Sequence, residues 1–266
     1  SVTIDPLLND EDPDGDVLVI QSIKASGLSV EMRDRHLLTI KEITASSDPV
    51  TITYLVSDGY HEAVPGTIVV MASNPIGEER PVAAVDDVNV RAGDAVTVRP
   101  MTNDHSPAGL DLSLDPKLVD GPSNAWVDRD QIRFLAPAVP GLVTATYQIR
   151  DSLGRTASAQ VRFNVISPDI ANQPPRPLPV TGRAIAGTTV RIPIPIQNID
   201  PNGDAVRLVG LSDGPRRGRV VSVGASWLEY EAFPEERGTD AFTYTVIDKF
   251  GARAVGEIRV GVADGA

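Results

Sequence analysis

Alternating acidic side chains near the start of the chain have the types and spacing of a cation site. Asp12, Asp14 and Asp16 stand two residues apart, with a proline and a glycine between them. Calcium prefers six to eight oxygen ligands, and carboxylates that alternate on a tight turn can point several oxygens at one centre. Asp58 follows a run of strand-forming residues and adds another carboxylate if the two loops lie at the same end of a domain. The pattern predicts a calcium site and indicates no other cofactor.

A second set of oxygen donors repeats this pattern near the C-terminus. Asp200, Asn202, Asp204 and Asp248 occupy equivalent places, whereas segment 103–109 in the middle of the chain keeps an Asn-Asp pair and lacks the alternating carboxylates. Calcium is therefore expected towards the two ends of the chain and not in the middle. The same residue types also build β-turns, because Asp and Asn side chains bond their own backbone and Gly accepts positive φ. Both interpretations of the acidic loops stay open.

A tyrosine recurs at domain-sized intervals. The signature Tyr-x-(Val/Ile)-x-Asp, with a glycine close behind, begins at Tyr54, Tyr147 and Tyr244, so that its copies lie 93 and 97 residues apart. That period is longer than any solenoid repeat and matches a small domain. A residue present in every copy suits folding better than one ligand site. We therefore interpret these tyrosines as structural residues at strand ends, with the ring in the core and the hydroxyl bonded to a loop backbone.

The residues that would perform catalysis are missing or isolated. The chain has no cysteine, and His36, His61 and His105 stand singly, without a partner that recurs between copies. It contains no Gly-x-Ser-x-Gly, His-Glu-x-x-His or phosphate-binding loop. Carboxylate pairs in an acidic turn lack the enclosing cleft that would separate two pKa values. The sequence therefore predicts that the chain is not an enzyme and has no catalytic residues.

The charge of the chain restricts its partners. The 266 residues carry a net charge of −12, and most of the acidic excess lies in the first 73 residues. An acidic field repels phosphate backbones, so nucleic acid is not an expected partner. No apolar run approaches the roughly 20 residues that cross a bilayer. We therefore predict no membrane insertion within this segment.

Short strands account for nearly the whole chain. Runs such as 50–56, 143–149 and 241–246 are β-branched or alternating, and no segment repeats apolar residues at helical spacing over three turns. Roughly seven short strands between successive linkers is the pattern of a two-sheet antiparallel sandwich. Proline-rich linkers mark the boundaries. The predicted organisation is repeat 1 at 1–73, a linker at 74–80, repeat 2 at 81–167, a linker at 168–176 and repeat 3 at 177–266.

The linkers and the start of repeat 1 carry two further predictions. Proline fixes φ and lacks a donor, so the linkers should act as semi-rigid spacers that stand the three sandwiches end to end in an elongated array. Segment 2–4 aligns with the second strand of the other repeats, so repeat 1 is expected to lack its N-terminal edge strand. The open edge would accept a strand from a neighbour, including another copy of the chain.

Motifs in repeats 1 and 3 resemble a known family. Segment 9–16 reads Asn-Asp-Glu-Asp-Pro-Asp-Gly-Asp, segment 200–204 reads Asp-Pro-Asn-Gly-Asp, and segment 238–244 reads Gly-Thr-Asp-Ala-Phe-Thr-Tyr. With the linkers between them, these motifs resemble the bacterial Ig-like and cadherin-like tandem repeats of large secreted or surface-anchored proteins. The resemblance covers nearly the whole chain. It implies an extracellular or cell-surface location and, in some relatives, calcium at the acidic loop.

These observations lead to one expected function and one alternative. We expect a non-enzymatic spacer, stalk or adhesion segment of a larger bacterial surface or secreted protein. The alternative is a module that binds a glycan or a cell-surface protein through a sheet face or the open edge, with clustered residues such as Trp227 in contact with the ligand. Trp126 and Trp227 occupy similar middle strands, and packing in the core is the other interpretation of both. The sequence identifies neither the ligand nor the residues that would bind it.

Overall fold

The computed structural model describes residues 2–42, 48–71 and 79–265, and its strands fall into three groups. Repeat 1 contains β1 Val2–Ile4, β2 Val19–Ala25, β3 Ser29–Arg33, β4 Leu37–Glu42, β5 Val50–Ser57 and β6 Val64–Val70. Repeat 2 contains β7 Asp86–Arg91, β8 Ala95–Val98, β9 Leu112–Leu114, β10 Ala125–Asp128, β11 Gln131–Leu135, β12 Gly141–Asp151 and β13 Thr156–Ile166. Repeat 3 contains β14 Val180–Ile185, β15 Thr189–Pro193, β16 Val206–Asp213, β17 Gly218–Val223, β18 Trp227–Ala232, β19 Gly238–Asp248 and β20 Arg253–Ala263.

Short 3₁₀ turns at Pro6–Asn9 and Pro100–Thr102 interrupt the strands. Within the described ranges, no helix is long and apolar enough to cross a bilayer.

Each repeat is a sandwich of two sheets. In repeat 2, β7, β13, β12 and β9 form one sheet, and β10, β11 and β8 form the other. Repeat 3 has the same order, with β14, β20, β19 and β16 in one sheet and β15, β18 and β17 in the other. The first strand pairs parallel to the last in both repeats, and the remaining pairs are antiparallel. The predicted all-β fold of three tandem sandwiches is confirmed.

A separate apolar core fills each sandwich. In repeat 2 the rings of Phe134 and Phe163 stack with their centroids 4.1 Å apart, and in repeat 3 Tyr230 stacks on Phe242 at 5.8 Å. The alternating pattern of the long strands produces these cores, because every second side chain of a strand faces the same side of the sheet. Each core draws its side chains from its own repeat. The cores of repeats 2 and 3 are therefore separate from each other.

Within the described residues, repeat 1 shows the same sandwich without a counterpart of the first strand. β1 pairs with β4 as β8 pairs with β11 and as β15 pairs with β18, which makes it the equivalent of the second strand elsewhere. Within the described residues, β6 has β5 as its one partner, whereas the equivalent β13 and β20 each have a parallel partner on the other side. The predicted absence of the edge strand is confirmed, and the outer side of β6 is left without a strand in these ranges.

The repeats contact one another through their ends. We call the end of a repeat that carries its acidic loop the acidic end, and the opposite end, where the last strand finishes, the C-terminal end. The C-terminal end of repeat 2 contacts the acidic end of repeat 3, where Arg91 meets Asp204. The C-terminal end of repeat 3 contacts the acidic end of repeat 1, where the Val17 amide donates to the Thr239 hydroxyl at 3.0 Å. Two contacts of the same kind therefore join the repeats.

The contact between repeats 1 and 3 corrects the predicted elongated array. Repeat 1 lies against repeat 3 and also approaches repeat 2, where Val2 is close to the loop at Gly109. The chain is thus folded back instead of standing in a line. The physical reason is apolar burial, since Val19 of repeat 1 packs with Ile185 and Ala263 of repeat 3 in a shared cluster. Those side chains would otherwise form an exposed apolar patch.

Candidate functional site

The recurrent tyrosines lie inside the sandwiches. Tyr147 and Tyr244 are fully buried, and Tyr54 is nearly so. The Tyr244 hydroxyl donates to the Leu178 carbonyl at 2.6 Å, and the Tyr147 hydroxyl donates to the Ala84 carbonyl at 2.8 Å. Both carbonyls belong to the segment that enters the repeat. Tyr147 and Tyr244 thus bond a backbone carbonyl while the ring fills the core, whereas the Tyr54 hydroxyl donates to the Asp10 carboxylate at 3.2 Å.

Repeat 2 holds two carboxyl groups beneath its tyrosine. The Tyr147 hydroxyl also donates to Asp104 at 2.9 Å. The Asp104 carboxylate interacts electrostatically with Asp86. Burial, together with that charge, raises the pKa of Asp86 to about 7. Its buried Oδ2 has no hydrogen-bond partner among the described residues. Asp86 could not be identified from the sequence, because an acidic residue at the start of a strand carries no signal of burial.

The predicted ligands of repeat 1 form a hydrogen-bonded turn. The Asp12 carboxylate accepts the backbone amides of Asp14 and Asp16, both at 3.0 Å. The Gly15 amide donates to the Asp12 carbonyl, and Gly15 takes a φ of +77°. These are the bonds of an Asx turn, in which the aspartate side chain holds its own backbone. One Asp12 oxygen is therefore already engaged by the protein.

Asp58 lies at the same end of repeat 1 and lines the same cleft as Asp12. Its carboxylate accepts the amides of Tyr60 and His61 and also bonds the His61 ring. Burial opposes ionisation, but these bonds outweigh it and hold the pKa of Asp58 at about 2. The structure thus brings the two predicted loops together at one end. Each carboxylate is bonded mainly within its own loop.

The predicted ligands of repeat 3 are buried. Asp200, Asn202, Asp204 and Asp248 are between 2 % and 7 % exposed. The Asp200 carboxylate accepts the amides of Asn202 at 2.8 Å and Asp204 at 3.1 Å, as Asp12 does in repeat 1. Burial, with the charges of Asp204 and Asp248 nearby, raises the pKa of Asp200. Concentrating these carboxylates in a dry pocket requires a positive charge.

A guanidinium from repeat 2 supplies that charge. Arg91 Nε lies 2.9 and 3.0 Å from the two Asp204 oxygens, and the side chains are 3 % and 0 % exposed. Its NH1 group donates to the linker carbonyls of Pro168 and Ile170, at 3.1 and 2.9 Å. The guanidinium carbon lies 4.9 Å from the centre of the Phe250 ring. Arg91 therefore binds the acidic loop at which the sequence predicted a metal ion.

Two further features close the junction between repeats 2 and 3. Lys249 Nζ lies 3.3 Å from Asp204 and also pairs with Asp94 of repeat 2. Gly203 takes a φ of +74°, and a Cβ atom there would lie 1.7 Å from the Asn89 carbonyl oxygen. Only glycine allows so close an approach of the two backbones. The junction is thus built from a buried ion pair, a second cation at its rim and tight backbone packing.

The acidic loops hold no preformed metal cage. In the ranges that the structure describes, no group of three or more acidic, histidine or cysteine side chains is arranged to hold a metal ion. Calcium at the acidic loops stays a prediction. The residues considered as ligand contacts are dispersed: Trp227 lies under the Arg191 guanidinium at 4.0 Å, and Trp126 is half exposed on β10.

Arg91, like Asp86, could not be identified from the sequence. Its partners lie 77 to 113 residues away in the chain, so no local spacing connects them. One difference between the repeats could have indicated its role. Repeat 2 has the basic Arg91 at the end of its first strand, where repeat 3 has the apolar Ile185.

Comparisons with known proteins agree with this architecture. The bacterial Ig domain family matches the chain over residues 1–71, 78–164 and 172–261. No curated protein matches the chain in sequence.

Among solved structures, the endo-fucoidan hydrolase MfFcnA4 from glycoside hydrolase family 107 is 15% identical over 93% of this chain and 39% of its own, with a TM-score of 0.32. The N-terminal four Ig domains of Dscam1 are 13% identical over 98% of this chain and 70% of their own, with a TM-score of 0.41. The human desmocollin-1 ectodomain is 11% identical over 97% of this chain and 57% of its own, with a TM-score of 0.29.

The present chain spans about two fifths of the hydrolase chain. These structural similarities concern the fold alone. The family matches, in contrast, cover most of the 266 residues in three separate copies. The chain therefore belongs to the bacterial Ig domain family and contains three tandem copies of that domain.

Proposed function

We propose that the chain is a non-enzymatic extracellular spacer, stalk or adhesion segment of a larger bacterial surface or secreted protein. The observation that carries this proposal is the junction between repeats 2 and 3, whose buried Arg91–Asp204 pair also binds the linker. A stalk needs domains that fold independently and joints that resist bending. Separate cores and a desolvated, hydrogen-bonded joint meet those two needs.

The bonding of the acidic groups supports a role without catalysis. Asp58 and Asp248 accept backbone amides in their own turns, and hydrogen bonds, working against burial, lower the pKa of both. A general acid needs the opposite, a carboxyl group whose pKa is raised towards neutrality beside a substrate cleft. Asp86 has such a pKa, but it lies beneath Tyr147 at the base of a sandwich. These groups are better suited to holding turns.

Pulling single molecules tests the mechanical role. We expect three separate unfolding steps, each releasing about 30 nm of chain for a repeat of this size. A single step for the whole chain would contradict independent repeats. Turnover of a polysaccharide by the same preparation would contradict the non-enzymatic part of the proposal.

Binding through the open edge of β6 is the second candidate function. It is favoured by the observation that β13 and β20 each pair with a further parallel strand, whereas β6 has none in the described residues. An extended peptide from a surface protein, or a strand of another copy, could complete the sheet by main-chain hydrogen bonds. Saturable binding of a partner that protects the β6 amides from hydrogen exchange would favour this function over a passive spacer.

We propose calcium binding at the acidic loop of repeat 1 in preference to the acidic loop of repeat 3. The acidic loop of repeat 3 already binds a guanidinium, whereas Asp14 in repeat 1 is exposed to solvent. Extracellular calcium modules often bind at about 10⁻⁴ to 10⁻³ M. Thermal unfolding with millimolar calcium and then with chelator checks the proposal, and identical melting curves would remove it.

A further inference from the structure

Repeats 1 and 3 meet through the same two ends that join repeats 2 and 3. In both contacts, the ends of the first and last strands of one repeat receive the acidic end of another. Asn89 of repeat 2 bonds the Pro201 carbonyl in the acidic loop of repeat 3, and the equivalent Arg183 of repeat 3 bonds the Leu18 carbonyl just after the acidic loop of repeat 1. No linker connects repeat 1 directly to repeat 3 along the chain, whereas at the other junction the linker carbonyls of Pro168 and Ile170 bond Arg91.

We propose that the C-terminal end of repeat 3 is a docking surface for the acidic end of a bacterial Ig domain, and that repeat 1 of the same chain occupies it in solution. The surface recognises a kind of domain, because it uses positions equivalent to those of the junction between repeats 2 and 3. Its occupant is held without a direct covalent tether, since 100 residues or more separate the partners in sequence. Such a contact can be released and made again.

Polar bonds orient repeat 1 on this surface. The Arg183 Nε donates to the Leu18 carbonyl at 2.7 Å, and an Arg259 NH2 group donates to the Gly15 carbonyl at 2.7 Å. Arg183 is half-buried, and that burial lowers its pKa. Removing a guanidinium from water is unfavourable unless its donors are satisfied. Its bond to the backbone of repeat 1 is therefore part of what makes the docked arrangement stable.

Tyr60 adds an aromatic contact at the edge of the surface. Its hydroxyl accepts a hydrogen bond from Arg217 at 2.9 Å, and the Arg217 guanidinium lies 5.5 Å from the ring centre. The ring covers Gly238, where a Cβ atom would lie 2.2 Å from a ring carbon. Tyr60 is equivalent to Phe250, which receives Arg91 at the other junction. The two junctions therefore share an aromatic residue that faces an arginine.

Gly261 shows that repeat 3 itself is shaped to receive this neighbour. A Cβ atom at Gly261 would lie 2.7 Å from the Val17 carbonyl oxygen and 2.8 Å from a Val19 methyl group, and both atoms belong to repeat 1. The φ of Gly261 lies outside the left-handed region, so the strand itself does not require glycine. The three atoms nearest to that Cβ position all belong to repeat 1, so an alanine would collide with the docked repeat 1.

The test is Gly261→Ala in the full chain, studied by small-angle scattering with the molecular mass measured in parallel. We expect wild type to be a compact monomer at all concentrations. We expect the variant to stay monomeric and to lengthen towards about 100 Å, the reach of three repeats with strands of about ten residues each. Gly214→Ala is the matched control, because a Cβ atom there meets nothing within 4 Å. The control should scatter like wild type.

Tyr60→Ala reaches the same contact from the side of repeat 1. Tyr60 is half exposed and lies outside the core of its own repeat, so its loss should lengthen the molecule while far-UV circular dichroism stays unchanged. Identical scattering from wild type and both variants would overturn the docking surface. A mass that rises with concentration in wild type and not in Gly261→Ala would overturn the assignment of the occupant to the same chain and assign it to a second copy.

Discussion

Aspartate at the end of the tyrosine signature is a turn residue in every repeat. Asp58, Asp151 and Asp248 each accept backbone amides from residues that follow them by two to four positions. The bond occurs in repeat 2, where the acidic loop has lost its alternating carboxylates and no ion is predicted. Folding therefore explains this aspartate without calcium. The turn could be predicted from residue types, whereas the burial of the side chains could not, because burial depends on strands far away in the sequence.

Asp86→Asn should stabilise repeat 2 at high pH and have no such effect at low pH. The folded state raises the pKa of Asp86 to about 7 from an ordinary value of 3.8. As pH rises between these values, the unfolded chain loses its proton first, so the free energy of unfolding falls. Removing the carboxyl should recover about 2 kcal/mol at pH 8, after allowance for its partial exposure. Thermal unfolding of repeat 2 at pH 4, 6 and 8 measures this.

The control for that experiment is Asp169→Asn, in an exposed part of the linker. It should leave the pH dependence of unfolding unchanged. An Asp86→Asn variant that loses the same stability at pH 4 and at pH 8 would contradict an unfavourable buried charge and indicate that Asp86 serves as a hydrogen-bond acceptor instead.

At the scale of elements, each recurrent tyrosine faces a small residue across the sheet. The small residue follows the tyrosine by twelve positions and is directly opposite it in the register of the last two strands. The pairs are Tyr54 with Gly66, Tyr147 with Ala159, and Tyr244 with Gly256. The ring lies across its small partner, which is why a bulkier one does not fit. The sequence contained this signal as a second spacing that accompanies the tyrosine.

Gly256→Val should destabilise repeat 3. A Cβ atom at this position would lie 2.4 Å from the Tyr244 ring, so the buried ring must move. Overpacking of this kind costs about 1–3 kcal/mol, and each kcal/mol lowers the melting temperature of a domain this size by about 4–8 °C. Calorimetry of the full chain should show the loss in one transition. Gly214→Val, in open space, is the matched control, and an equal loss in both variants would contradict the role of the ring.

Strands with uninterrupted apolar patterns could be predicted, and irregular ones could not. The long β12, β13, β19 and β20 lie where alternation and β-branched residues indicated strands. The sequence pattern did not indicate β16 and β17, and register shifts interrupt the pairing of both strands with their neighbours. Pairing with a regular neighbour keeps them in the sheet. Their existence depends on the tertiary fold more than on their own residues.

At the scale of the whole molecule, one residue at the C-terminal end of a repeat determines whether its junction is built on an ion pair or on apolar packing. That residue is Arg91 in repeat 2, where it enters the acidic loop of repeat 3, and Ile185 in repeat 3, where it packs with Val19 of repeat 1. The strand pattern predicted neither contact, because each joins residues more than 100 positions apart. Proline content in the linkers alone suggested a straight array. The end surfaces, and not the linkers, set the observed arrangement.

Arg91→Met should loosen the junction between repeats 2 and 3 without unfolding either one. Methionine keeps an apolar stem but leaves Asp204 buried without its main partner, and breaking a buried pair costs about 3–5 kcal/mol. Because the pair joins two repeats, its loss destabilises the contact between them and not the fold of either one. The Pro168 and Ile170 carbonyls also lose their donor. Thermolysin should then cut the linker before Ile170 at least about tenfold faster, while both melting transitions persist.

Two matched variants separate this effect from a general loss of charge. Arg162→Met removes an exposed pair with Asp87 inside repeat 2 and should leave linker cleavage at the wild-type rate. Arg91→Lys keeps the positive charge. A lysine ammonium lacks the planar set of donors with which the guanidinium bonds the carboxylate and the linker carbonyls at the same time. It should give an intermediate rate. If Arg91→Met and wild type were cut equally fast, the guanidinium would not hold the joint, and the mechanical role proposed for this chain would lose its main support.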